Sequence, residues 1–143
     1  MKLKQEIRIS VLAIDEGDDT IQYQIEVTNG INSITQDFYG YADNFKDFAT
    51  RLLSFPNTIT DNVKYELGES GERWAYYILL DVLCHAYNGH SAIHVKVDNN
   101  GKPPYTNKSE FYITTVPASL NKLGQLLMVW NPITEKEITW TAE

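Results

Sequence analysis

Cysteine is almost missing: Cys84 is the only one in 143 residues. That excludes an internal disulfide, and nothing marks the chain for an oxidising compartment. Basic runs are missing as well. The 12 Lys and Arg are scattered among 19 Asp and Glu, giving a formal net charge of −7. Nucleic-acid binding normally announces itself with a basic patch or stripe, so no nucleic-acid partner is expected. No apolar stretch approaches the roughly 18 residues of a membrane span. The opening "MKLKQEIRIS" alternates polar and apolar positions and lacks the continuous apolar core of a signal peptide. A cytoplasmic protein with no membrane partner is the expectation.

Common chemical motifs are also absent. There is no Walker A loop, no G-x-G-x-x-G, no nucleophile elbow and no H-E-x-x-H. No carboxylate pair is singled out as general acid and base. We assign no catalytic residue and no cofactor, and an enzyme is the less favoured reading.

What is present is patterning for one folded α+β domain over residues 1–143. Hydrophobic residues make up 43% and aromatic residues 12%, with nine Tyr. Most of the chain reads at period two. "EIRISVLAID" is a strand with Ile7, Ile9, Val11 and Ala13 on one face. "EGDD", Glu16 to Asp19, is a solvated turn without the spacing of an EF-hand. "TIQYQIEVT" alternates, and Asn29-Gly30 predicts a two-residue hairpin turn that places Ile25 opposite Ile34 and Ile21 opposite Phe38. "YADNFKDFATRLLSFP" changes to helical spacing. Phe45, Phe48, Ala49, Leu52 and Leu53 form the stripe, Lys46, Asp47 and Arg51 take the outer face, Asp43 is the N-cap, and Pro56 is the stop.

Further strands follow in "NVKYELGE", "RWAYYILLDVLCHAY", "SAIHVKVD" and "EFYITTV". Asn99 to Ser109 is the best candidate for a mobile loop. A second helix runs from Pro117 to about Trp130, weakened slightly by Gly124, and "KEITW" is a last strand. The order is β-β-β-α-β-β-β-β-α-β. Consecutive hairpins predict one mainly antiparallel, meandering sheet of about seven to eight strands, with two helices on one face.

The chemistry-bearing side chains concentrate in "LCHAYNGHSAIH", Leu83 to His94, which holds Cys84 and all three histidines. A two-residue turn at Asn88-Gly89 puts Cys84 on the core face with Ile78, Leu80, Val82, Ile93, Val95 and Val97. His85, His90 and His94 share the opposite face with Asp81 and Tyr87. A Cys–His dyad within this hairpin is thereby disfavoured. In this register Asp81 faces Lys96, and His85 faces Ala92, so His90 and His94 are its diagonal neighbours, about 7–8 Å away. His90 and His94 lie about 13 Å apart along their strand. One ion can therefore take at most two of the three, with His85 shared, and no metal is assigned. The expected binding surface is His85, His90, His94, Tyr87 and Asp81. The aromatic strand residues Trp74, Tyr76, Tyr77 and Tyr87 are expected mainly in packing.

The stretch from Asp37 to Gly101, with "FYGYADNFKDFATRLLSFP" and "NGHSAIHVKVDNNG", resembles small bacterial proteins of unknown function, among them immunity proteins of polymorphic toxin systems. The pattern shared is an aromatic-rich strand, a helix reading F-x-x-F-A-x-x-L-L and an "FP" stop. The resemblance implies a non-enzymatic protein that binds and blocks a cognate toxin, and the acidic balance would suit a basic one. Three readings stay open: a protein-binding module, which we prefer; a small-molecule or metal-binding protein, or an enzyme, using the histidine face under the 99–109 loop; and a homodimer joined through exposed strand edges or an aromatic face.

Overall fold

The alternation that marks each strand also decides which side chains turn inward, and in the computed structural model those inward rows belong to two sheets. The structure describes residues 3–71 and 73–143. Its elements are β1 (Glu6–Ile14), β2 (Ile21–Thr28), β3 (Ser33–Gly40), α1 (Lys46–Leu53), β4 (Asn62–Gly68), β5 (Tyr77–Cys84), β6 (Ser91–Asp98), β7 (Lys108–Thr115), α2 (Pro117–Val129) and β8 (Glu137–Thr141). The element order matches the patterning. The single meandering sheet does not. The strands form two four-stranded antiparallel sheets, β3-β2-β1-β8 (sheet A) and β4-β5-β6-β7 (sheet B).

Two helices of 8 and 13 residues offer little cover for the apolar face of an eight-stranded sheet. Divided in two, the inward rows of both sheets share one core with the helices, from Ile9 and Tyr23 to Leu80, Ile93, Leu52 and Leu123. β8 pairs with β1, placing Ile7 opposite Trp140. Each sheet is thus a four-strand meander followed by a helix, β8-β1-β2-β3-α1 and β4-β5-β6-β7-α2, the first one split between the two ends of the chain.

Local details shift the expected faces. A bulge between Val11 and Ala13 inserts Leu12 into β1. A bulge adds one residue and so inverts the alternation beyond it. Ala13 is accordingly exposed, and Ile14 takes the inward place against the core. Helix α1 starts at Lys46, with Phe45 in the cap position and no side-chain cap; Asp43 contributes only its carbonyl, to the Lys46 amide at 3.0 Å. Leu53 is exposed. Lys46 does not join the outer face. Its ammonium donates to the carbonyls of Leu127, Met128 and Trp130 at the end of α2. In return Asn121 of α2 donates to the carbonyls of Leu52 (2.8 Å) and Phe55 (2.9 Å) at the end of α1. Each helix so satisfies carbonyls that the other leaves without intrahelical partners.

The core is rich in phenols, and this makes stability sensitive to alkali. Burial pushes the Tyr23 hydroxyl up to about 12, helped by the charge of Asp43. Burial, then the hydrogen bond to Glu66, does the same for Tyr77, also to about 12. Tyr65 is raised further, again mainly by burial. In the unfolded chain a phenol loses its proton near 10. Above that pH the unfolded state binds fewer protons than the folded one, so stability falls as pH rises. Full stability below pH about 10 and a progressive loss between about 10 and 12 are expected. Thermal melts across this range, with phenolate absorbance followed in parallel, check it. A melting temperature that holds constant through the window would refute the argument.

Candidate functional site

Sheet B carries the histidines on its outer face. The inner rows take Val63, Tyr65, Ile78, Leu80, Val82, Ile93, Val95, Val97, Phe111 and Ile113, all buried. Alternation then leaves the outer positions in cross-strand rows. One row reads Lys64, Asp81, His94, Tyr112 and the next reads Glu66, Leu79, Lys96, Glu110. Among the described residues no helix contributes to this face, since α1 and α2 pack into the core.

His94 is the best-held side chain here. Its ring stacks on Tyr112 with centroids 4.6 Å apart and planes 12° from parallel. Its Nε2 donates to Glu110 Oε2 at 2.6 Å. Both partners come from β7, which the hairpin alone does not reveal. The period-two reading of "EFYITTV" does place Glu110 and Tyr112 on one face, but nothing local states that β7 lies beside β6. Asp81 faces His94 instead of Lys96 and accepts a hydrogen bond from Asn62 Nδ2 at 3.1 Å. The expected Asp81–Lys96 pair is therefore corrected: Lys96 lies opposite Leu79 on one side and Glu110 on the other.

The correction comes from the turn. The loop between the strands holds four residues, Ala86 to Gly89, closed by the His85 amide donating to the His90 carbonyl at 2.9 Å. Inside it the Gly89 amide donates to the Ala86 carbonyl, and Asn88 Oδ1 accepts from the His90 amide. Gly89 has φ +86°, a left-handed conformation that side chains disfavour. The wider loop moves the register by two residues, so every side chain keeps its face but changes partner. His85 now faces His90 directly, with ring centroids 6.1 Å apart. Both rings are exposed and line a cleft of about 230 Å³ with Gln5, Thr114, Thr115, Val116 and Glu143. Tyr87 stands at the loop tip, 93% exposed. Cys84 lies on the core side, its Sγ 3.9 Å from Ser91 Oγ.

The structure thus divides the five expected residues. His94 and Asp81 are opposed within the sheet, His85 and His90 form a separate pair at its end, and Tyr87 leaves the sheet. Trp74 and Tyr76 precede β5, and Trp74 is about half exposed in the loop. The 99–107 loop leaves β6 at the end away from His90, so it does not cover the histidine pair. Within this loop the Asn99 side chain bonds Gly101, Tyr105 and Asn107. At that end a polar cleft of about 440 Å³ is lined by Ser70, Lys96, Asp98, Lys108 and Glu110 among others.

The outer edge of β7 is occupied by side chains at Tyr112 and Thr114. Gln5 accepts from the Thr114 amide and donates to its carbonyl, both at 3.0 Å, and Asn29 donates to the Tyr112 carbonyl at 3.3 Å. Asn29 sits in a four-residue loop as well, where the sequence predicts two, and its Oδ1 accepts from the Ile31 and Asn32 amides. Val27 consequently faces Ile34 and Tyr23 faces Phe38, again a shift of two that preserves the faces.

On the outer face of sheet A, Arg8 is ringed by Glu6, Glu26 and Glu137 at 3.0–3.4 Å. The "EGDD" carboxylates serve their own turn. Asp15 Oδ1 accepts from the Gly17 amide, and the Thr20 amide holds the Asp18 carboxyl below its ordinary value. Among the described residues, no group of three or more His, Cys, Asp or Glu is placed to hold one metal ion, and no helix is long and apolar enough to cross a membrane.

No protein-family model matches the chain, and no curated protein matches it. A solved structure, that of the plant transcriptional regulator PBF-2, is similar with a TM-score of 0.48 and 12% sequence identity. The match covers 90% of this chain and 78% of that one.

Proposed function

We propose that this chain is a non-enzymatic, cytoplasmic protein-binding module that recognises its partner through the outer face of sheet B. The observation that carries the reading is the form of that face. Its titratable and aromatic side chains stand on an open four-stranded platform, with His94 locked between Glu110 and Tyr112. A rigid aromatic flanked by charges, held by its neighbours before binding, is what an interface anchor requires. Tyr112 is half exposed and Tyr87 almost wholly so, which leaves apolar area for a partner to bury. A net charge of −7 favours approach of a basic partner. An immunity-type role, binding and blocking a basic toxin of a bacterial polymorphic system, is the form of this function that we favour.

Affinity capture from the source organism, followed by titration of the recovered protein, tests it. Tyr112→Ala and Asp81→Lys should each weaken binding about tenfold or more, as interface anchors do. Thr35→Ala, on the outer face of sheet A, should leave it unchanged. Failure to capture a partner, or an affinity indifferent to both sheet B substitutions, would count against the proposal.

A further inference from the structure

The four-residue turn brings two exposed histidines face to face. His85 and His90 are a directly opposed cross-strand pair, joined by a backbone hydrogen bond of 2.9 Å that fixes their separation. Their ring centroids lie 6.1 Å apart. An imidazole nitrogen binds a transition ion at about 2.0–2.1 Å, which puts each ring centre roughly 3.2 Å from the metal. Two rings on one ion then have centres about 5 to 6.4 Å apart, from a tetrahedral to a linear arrangement. The observed separation falls inside that range.

From this juxtaposition we infer that His85 and His90 form a binding site for a divalent transition-metal ion. The donor set selects the metal class. Two imidazoles suit Cu²⁺, Ni²⁺ and Zn²⁺, whereas Ca²⁺ and Mg²⁺ need a shell of oxygens. Both rings are exposed, so neither nitrogen has to be freed from the core. The cleft that they line also holds Glu143, whose carboxylate is 3.4 Å from Lys122 Nζ, with both side chains exposed. With two protein ligands, water fills the remaining positions and binding is reversible. His94 is not part of the site. It lies four residues along β6 from His90, about 13 Å by strand rise, and its Nε2 is bonded to Glu110. The inference does not depend on the protein-binding role, since it rests on the hairpin alone.

Titration calorimetry of the full, tag-free chain with NiCl₂ and with ZnCl₂ is the test. One equivalent of metal should bind. His85→Asn and His90→Asn should each lower the affinity about tenfold or more. His94→Asn should change it by less than about twofold. Each variant is first melted without metal, and an unchanged melting temperature confirms that it folds. Three results would overturn the inference: no saturable binding by the unaltered chain up to about 1 mM metal, binding that survives both His85→Asn and His90→Asn, or an equal loss in His94→Asn.

Discussion

Replacing Phe45 by alanine should cost about 3–5 kcal/mol of stability, the range for removing a buried aromatic side chain. Phe45 is 4% exposed. Its ring lies 4.9 Å from Tyr65 of β4, 5.7 Å from Tyr23 of β2, 6.1 Å from Phe38 of β3 and 6.2 Å from Trp130 beyond α2. The contacts to Tyr23 and Phe38 are edge-on, an arrangement that aromatic quadrupoles favour. One side chain therefore joins both sheets to the end of the second helix. Its loss leaves a cavity between elements that cannot all collapse on it. A domain of ordinary stability has about 5–15 kcal/mol in total, so the folded population would drop steeply. Urea unfolding measures this as a lower midpoint at nearly constant slope. Leu53→Ala, at an exposed position of α1, the helix that Phe45 precedes, should cost less than about 1 kcal/mol. A Phe45→Ala variant within 1 kcal/mol of the parent would contradict the joining role.

Substitution at Gly124 has the second largest expected effect, and its sign separates two influences. By helix propensity alone, Gly124→Ala should stabilise α2 by about 1 kcal/mol. The fold opposes it. A Cβ at this position would stand 2.9 Å from Leu52 Cβ, 3.0 Å from the Ala49 carbonyl oxygen and 3.1 Å from the Leu53 amide nitrogen. Two of the three are backbone atoms of α1, so relief requires the helices to separate. Separation also strains the exchanged caps of Lys46 and Asn121. Overpacking of a tight contact costs about 1–3 kcal/mol. A net loss of about 1 kcal/mol for Gly124→Ala and about 2–3 kcal/mol for Gly124→Val is the expected outcome. Denaturant titration decides it. An alanine variant more stable than the parent would show that the crossing has room to spare.

The glycine that weakens a sequence-based helix is thus the residue that lets two helices meet. A propensity scale registers its cost and has no access to its neighbour. The same division runs through the candidate site. Period-two alternation put Cys84 on the core side and all three histidines on the other, because the face of a strand residue is a local property. Both hairpins were then displaced by two residues, since Asn29 and Asn88 bond amides inside four-residue loops that a dipeptide signal reads as tight turns. An even shift leaves faces intact and changes every partner. For His85 that meant His90 in place of Ala92, and for Asp81 it meant His94 in place of Lys96.

By itself the sequence determined the order of strands and helices, the inward and outward rows of most of them, and the confinement of the histidines to one outer face. These follow from side-chain periodicity, which each segment carries alone. The bulge at Leu12 marks the limit of that logic, because one inserted residue exchanged Ala13 for Ile14. Tertiary structure decided the rest: the division into two sheets, the return of β8 to β1, and the placing of Glu110 and Tyr112 around His94. Those depend on how apolar faces far apart in the chain cover one another, and strands of like pattern do not declare their neighbours.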